Sequence, residues 1–384
     1  MRLFGLFIFV SQCILCVGLS AAPSFPYLTG ADLSALPVYE SAGAVFRDEE
    51  GEAGDALHIL AEAGMRCARL RLFVEPNMEG IVTNNLAYTL ELAGRCQAAG
   101  LEILLDLHYS DTWADPSKQF IPAVWLDLPL DALSERVREY TRQVFESFIV
   151  AGIRVHYVQL GNEVTNGMLW PIGRVEFGGD PEQAGNWDAF AGLLHAAHHG
   201  LEEAFAGAPH PLPLRLHHIE CTGDVARTDW YLGNLISHDV PFDAVAFSYY
   251  PEWHGTIPDL ETTLRHSIAM TGKPVIVVET AYPWHPDPEE KTEGSFPYPL
   301  TPEGQGRFLC DVERAVRSLD SGMGRGVMYW HPESLRMDAP FHIWKWGRYA
   351  LFGFDGKLLP SVRCLLTTGE IQSGLTETPT PYPL

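Results

Sequence analysis

From about Tyr27 to about Leu366, short apolar runs alternate with longer stretches of helical periodicity. The runs at 28–32, 67–73, 102–107, 155–160, 214–218, 244–248, 275–279 and 326–330 are short enough to read as buried strands. The stretches at 86–99, 133–151, 187–205, 260–270 and 303–319 repeat apolar residues every three or four positions and read as amphipathic helices. Gly100, Gly152, Gly207 and Gly272 fall where C-terminal caps are needed. Repeated strand–helix order implies parallel strands joined by crossover helices. Eight such units predict an α/β fold of one domain, a closed (β/α)8 TIM barrel. An open doubly wound sheet is the alternative, but no Gly-x-Gly-x-x-Gly follows the first strand.

In such a barrel the reactive residues lie at the C-terminal ends of the strands. The unusual polar and aromatic residues fall there: Asp106, His108, Asn162, Glu163, Tyr249, Tyr250, Glu279 and Trp330. Glu163 closes Val-Gln-Leu-Gly-Asn-Glu and Glu279 closes the core of Val-Ile-Val-Val-Glu-Thr. A carboxylate at the end of a buried strand is costly unless something uses it. Two of them facing one cleft meet the need of a glycosidase, one carboxyl to protonate the leaving oxygen and one to attack. Taken singly, Glu163 also reads as a loop or helix-start carboxylate. A closed barrel would bring the two within the roughly 5 Å of a retaining pair. The acid needs a raised pKa, which burial and a neighbouring carboxylate supply. The nucleophile needs cationic support, and Arg69 and Arg71 share one face of the second strand.

The loop Asp106-Leu-His-Tyr-Ser-Asp-Thr-Trp-Ala-Asp-Pro-Ser-Lys-Gln119 combines hydrogen-bonding groups such as Asp111 with a stacking platform, Trp113. Three Asp and a His also admit a metal site. No second His lies at ligand spacing, and no His-x-His follows the first strand. A serine hydrolase lacks its Gly-x-Ser-x-Gly elbow. The loops 108–130, 280–302 and 331–359 are long and rich in Pro, Gly and aromatics, as cleft walls would be.

A net charge of −23 argues against a nucleic-acid partner and also suits plain solubility. Residues 1–22 read as an export signal, with Arg2, an apolar run over 3–19 and Ser20-Ala21-Ala22 for cleavage. An uncleaved anchor is the alternative. The barrel is expected over 23–370 and a Thr/Pro-rich tail over 371–384, in a secreted monomer without a membrane partner. Five scattered cysteines remain after the signal, Cys67, Cys96, Cys221, Cys310 and Cys364, and the sequence does not pair them.

Several segments together resemble glycoside hydrolase family 53, the arabinogalactan endo-β-1,4-galactanases of the retaining barrel clan. They are Gly-Ala-Asp-Leu-Ser from Gly30, Arg-Leu-Arg from Arg69, His-Tyr-Ser-Asp-Thr-Trp-Ala-Asp-Pro from His108, Leu-Gly-Asn-Glu-Val-Thr-Asn-Gly from Leu160, Ser-Tyr-Tyr-Pro-Glu-Trp-His-Gly from Ser248, Glu-Thr-Ala-Tyr-Pro-Trp from Glu279 and Tyr329-Trp330. The resemblance implies Glu163 as acid/base, Glu279 as nucleophile and Arg69 as its support. It places Asp106, His108, Asp111, Trp113, Asn162, Tyr249, Tyr250, Trp253, Trp284 and Trp330 around a galactan or arabinogalactan chain. It implies no cofactor and no metal in the chemistry. A related β-mannanase or β-glucanase, or a glycan-binding barrel without activity, are the other readings. Two departures stand out. His331-Pro332 replaces the family's usual Glu-Pro, and the loop from His285 to Pro302 differs from the bacterial calcium-binding pattern. Asp287, Glu289, Glu290 and Glu293 could still offer oxygen ligands to a structural calcium.

Overall fold

Eight parallel strands form a closed ring: β1 Leu28–Asp32, β2 Cys67–Leu72, β3 Glu102–Leu107, β4 Tyr157–Leu160, β5 Leu214–Ile219, β6 Ala244–Tyr249, β7 Val275–Thr280 and β8 Gly324–Trp330. β1 closes the ring by pairing with β8, Asp32 opposite Trp330. The computed structural model describes residues 25–178, 186–287 and 296–366. The expected signal, the tail, and Glu289, Glu290 and Glu293 lie outside the described residues.

The strands are buried on both faces, as parallel strands are. Inward-facing Leu28, Cys67, Leu104, Leu216, Ile276 and Met328 fill the lower barrel. The alternate positions pack under the helices. Those helices are α1 Ala56–Glu62, α2 Leu86–Ala98, α3 Leu130–Val150, α4 Trp187–Phe205, α5 Val225–Ser237, α6 Ile257–Thr271, α7 Pro302–Arg317 and α8 Val362–Leu366. Several of their starts are fixed by side-chain caps: Asn85 accepts from Tyr88 N–H, Asn186 from Ala189 N–H and Thr301 from Gly304 N–H. Thr256 and Asp259 form a reciprocal capping box on α6. α3 and α4 touch so closely that a Cβ at Gly200 would lie 2.1 Å from the Arg138 carbonyl oxygen.

The glycines expected to stop helices do adopt positive φ, 81° at Gly100, 70° at Gly152, 84° at Gly207 and 65° at Gly272. α1, α5 and α8 were not visible in the sequence pattern. α8 is only five residues long and is tied to α7 by a Cys310–Cys364 disulfide. Cys67, Cys96 and Cys221 are buried thiols. Among the described residues no helix is long and apolar enough to cross a membrane.

Candidate active site

Above the apolar plug, the last inward positions of the strands turn polar: Asp32, Arg69, Arg71, Asp106, Gln159, His218, Ser248 and Glu279, all buried. Strand alternation decides which side chains join them. On β6, Ala244 and Ala246 face inward while Val245 and Phe247 face the helices. Ser248 and Tyr250 continue the inward phase. Tyr249 does not, which corrects the expectation that it lines the cleft. Its ring stacks on Phe308 of α7, and its hydroxyl donates to the Gly255 carbonyl at 3.1 Å. A register shift between β6 and β7 at Phe247/Ser248 sets Glu279 opposite Ser248.

Arg69 organises the mouth. Its Nη1 lies 3.0 Å from Asp32, and its Nη2 lies 2.9 Å from both Asp106 and Glu279. Nε donates to Gln159 at 2.8 Å and Nη2 to Asn162 Oδ1 at 2.7 Å. Burial opposes the charge of Asp32, but Arg71 and Arg69 outweigh it and hold the carboxyl below its usual range. A buried cation with three carboxylates around it stays charged: burial works against it, and Asp106, Glu279 and Asp32 overcome that. His108 stands beside this group, with Nε2 2.9 Å from Asp106 and Nδ1 accepting the Ala114 N–H at 3.1 Å.

Glu163 is aimed by the backbone. Gly161 at φ 109° and Glu163 itself at φ 47°, ψ 50° turn the chain sharply after β4. A left-handed conformation is costly for a glutamate and is held by its surroundings. Gln119 donates to the Asn162 carbonyl at 2.8 Å, and Asn166 donates to the Pro116 carbonyl at 2.8 Å. The Glu163 carboxyl is half-buried and has Ser248 Oγ 2.5 Å from Oε1. One carboxylate oxygen of Glu163 and one of Glu279 lie within 4.8 Å of each other. Burial, then Glu279 and Glu220, push Glu163 well above the usual carboxylate range. Burial also pushes Glu279 up to about 7, with Arg69 pulling against it. Tyr250 donates to Glu279 Oε2 at 3.1 Å. Arg69 and Tyr250 favour charge on Glu279 alone, so a single proton shared by the pair rests on Glu163.

The aromatic wall is built from Trp113 and Trp330, 6.0 Å apart by ring centroid, with the Arg71 guanidinium 4.4 Å from the Trp113 ring and 5.0 Å from the Trp330 ring. Trp253, 64% exposed, sits edge-on to Tyr250 and offers a free face. Asp111 ties its own loop to the one after β2, its carboxylate taking the N–H groups of Ala123 and Glu75. Trp284 packs on Phe354 and His285, and Asp287 pairs with Arg348 at 3.1 Å. Asp32, Gln159, His218 and Ser248 belong to the site and were not singled out in the sequence. Their signal was parity: each occupies the inward phase near the end of its strand. Glu163, His218 and Glu279 form a grouping that could ligate a metal, each offering one atom within 4.8 Å of the others. Both His218 nitrogens, however, already face partners, Asn162 Oδ1 and Ser248 Oγ, each at 3.0 Å.

A parallel eightfold barrel with two close carboxyls at the C-terminal ends of β4 and β7, one charge-supported and one not, defines a barrel glycosidase with a retaining geometry. The family model for glycosyl hydrolase family 53 matches residues 28–365, and the chain belongs to that family. Arabinogalactan endo-beta-1,4-galactanase A of Aspergillus niger is 34% identical over 317 residues, covering 79% of this chain and 84% of that protein. Among solved structures, the family 53 catalytic domain of Ignisphaera aggregans superposes with a TM-score of 0.79 at 31% identity, covering 89% of this chain and 97% of that one. A structure from a study of two fungal beta-1,4-galactanases gives 0.76 at 30% identity, covering 88% and 98%.

Proposed function

We propose that the protein cleaves internal β-1,4-galactosidic bonds of galactan or arabinogalactan with retention of anomeric configuration. The observation that carries this reading is the Glu163–Glu279 pair, whose oxygens approach within 4.8 Å. That spacing leaves no room for a water between carboxyl and sugar, as an inverting enzyme needs, and suits direct attack. Glu279 attacks the anomeric carbon while Glu163 gives its proton to the departing glycosidic oxygen. The products of this step are a galactosyl ester on Glu279 and a free chain end. Glu163, now a carboxylate, takes a proton from water, and the resulting hydroxyl displaces Glu279. Arg69 and Tyr250 stabilise the carboxylate that leaves. Asn162, held by Arg69 and Ala114, stands beside Glu163 where a sugar 2-hydroxyl would lie.

The substrate assignment rests on the galactanase names of the relatives and on the aromatic faces at the cleft. Sugars present apolar CH faces that stack on Trp, and the exposed Trp253 and half-buried Trp113 supply such surfaces. The apolar leader over 3–19 supports secretion. A reducing-sugar assay across galactan, mannan, xylan and β-glucan tests the reading, with proton NMR of the first product formed. Release from galactan alone, as the β-anomer, is the expected result. Release from mannan or β-glucan but not galactan, or an α-anomer first, would overturn it.

A further inference from the structure

Ser248 stands between two groups that compete for its one hydrogen. Its Oγ is 2.5 Å from Glu163 Oε1 and 3.0 Å from His218 Nε2. Which way the hydroxyl points depends on the histidine tautomer, and the surroundings fix that. Asn162 Nδ2 donates to the Ala114 carbonyl at 2.8 Å, so Oδ1 is the atom facing Arg69 Nη2 at 2.7 Å. Arginine has only donors to offer, so this oxygen accepts. His218 Nδ1 lies 3.0 Å from the same Oδ1 and must therefore carry the hydrogen. The Glu163 amide, 3.3 Å from Nδ1, would need that nitrogen bare, and the shorter contact prevails. Nε2 is then a lone pair facing Ser248. Burial, with Arg69 and His108 adding, pulls the imidazole well below its ordinary value, so the ring stays neutral.

The geometry points to His218 as a positioning residue that, acting through Ser248, keeps the proton on Glu163. This inference rests on the assignment of Glu163 as the acid/base. When Glu163 is protonated, its O–H donates to Ser248 Oγ, the Ser248 O–H donates to His218 Nε2, and both the carboxyl hydrogen and Nε2 have partners. When Glu163 is ionised, Ser248 must rotate to donate to the carboxylate, and the buried Nε2 loses its donor. No proton enters or leaves the histidine in either state, because only a hydroxyl turns. The relay thus raises the proton affinity of Glu163 in the free enzyme. With substrate bound, the proton faces the leaving oxygen from the other carboxyl oxygen, and Ser248 turns to donate to Oε1, as it does to the carboxylate of the second step. The other groups around this line are Glu279 and Tyr250, Glu220, Asp115, Arg69, His108 and His217. Their charges act on Glu163 whether or not Ser248 is present, so removing the serine separates the two influences.

The test has two readouts. In wild-type enzyme labelled with nitrogen-15 at histidine, His218 is expected as the neutral Nδ1–H tautomer throughout the active pH range. A neutral Nε2–H tautomer would overturn the proposal. In kcat/KM against pH on galactan, His218→Phe frees the serine hydrogen for the carboxylate. The alkaline limb, which reports loss of the acid, should then move down by about half a unit or more, with the acidic limb unmoved. Ser248→Ala removes the carboxylate's donor and should not move the alkaline limb down. Adding His218→Phe to Ser248→Ala should leave the limb where the serine change put it. A limb that stays at the wild-type position in His218→Phe, or that moves equally without Ser248, overturns the proposal. Should His218→Phe fail to fold, the tautomer in the wild type still decides. Should wild type cleave none of the four polysaccharides, the functional reading fails, and the tautomer separately decides the hydrogen-bond arrangement.

Discussion

Arg69 meets Glu279 through Nη2 at 2.9 Å, and among the described residues no arginine or lysine pairs with Glu163. One carboxyl is thereby made comfortable as an anion and the other as an acid, on strands that are otherwise equivalent. Replacing Arg69 tests this division. Arg69→Met leaves Asp32, Asp106 and Glu279 crowded without their cation, and breaking such a buried cluster costs about 3–5 kcal/mol. The melting temperature should drop sharply. Arg69→Lys keeps a charge but cannot reach Gln159, Asp32, Asp106, Asn162 and Glu279 together. It should fold, with kcat/KM on galactan reduced by about 100-fold or more. Lysine at wild-type activity would show that charge alone, without the fork, supports the nucleophile.

The pair itself separates into two steps. Glu279→Gln should abolish turnover on every substrate while leaving the fold intact. Glu163→Ala should abolish cleavage of galactan but spare formation of the galactosyl-enzyme from aryl galactosides whose leaving groups need no proton. Azide should then restore turnover and yield a β-galactosyl azide. Wild-type rates on galactan for Glu163→Ala would end the assignment, and an α-azide would end the retaining mechanism.

Tyr250 donates to Glu279 at 3.1 Å, and burial together with Glu279 keeps its phenol protonated at all working pH values. Tyr250→Phe deletes one donor to a carboxylate that must be charged. Losing a hydrogen bond to a charged group costs about 1.5–3 kcal/mol, so kcat/KM should fall roughly 10- to 100-fold. The acidic limb of the pH profile, which reports ionisation of Glu279, should move up. A rate loss with that limb unmoved would mean that Tyr250 acts on the sugar and not on the nucleophile.

The barrel was legible because its strands are short runs that stop abruptly at polar residues, and parallel strands buried on both faces leave that mark. β1 and β3 have the bounds their patterns implied. The two glutamates were legible for the same reason. The network beneath them was not. Asp32, Gln159, His218 and Ser248 look unremarkable until strand parity and register place them on one ring of inward positions. Parity alone would have separated Tyr249 from Tyr250, since the small Ala244 and Ala246 alternate with Val245 and Phe247. The register shift that seats Glu279 opposite Ser248 leaves no comparable trace. The Cys310–Cys364 link depends on α8, which is too short to announce itself by periodicity.

Two carboxyls and a water complete the proposed reaction, so it draws on no metal. Initial rates should survive prolonged chelation at moderate temperature. A calcium held by the loop after β7 would bind only the folded state, and its removal would lower the melting temperature without lowering the initial rate. Rates that collapse on chelation while the protein stays folded, and return with added metal, would refute the two-carboxylate scheme.

Glu313, on α7 and away from the cleft, ties stability to pH. Its side chain is buried, accepts the Tyr27 hydroxyl, and takes Arg317 Nε at 3.0 Å. Burial pushes its carboxyl up to about 7, against 4.5 for an ordinary glutamate, with Tyr27 and Arg317 pulling the other way. The folded state therefore binds the proton more tightly than the unfolded chain. The resulting stabilisation is full below about 4.5 and is lost as pH rises through about 7, a change of up to roughly 3 kcal/mol. Glu333, raised to about 8, has the same sign. Burial holds His198, His217, His218, His254 and His331 below their ordinary value, and these act in the opposite sense. Between pH 5 and pH 8 the effect of Glu313 is therefore read in the wild-type melting temperature relative to that of a variant at this position. Glu313→Gln keeps an acceptor for Tyr27 and cannot ionise, so the wild-type melting temperature should fall relative to that of the variant as pH rises over the same interval. The two curves, measured side by side by calorimetry, isolate this one carboxyl. Parallel curves would show that Glu313 is already ionised in the folded protein near pH 5, held there by Arg317.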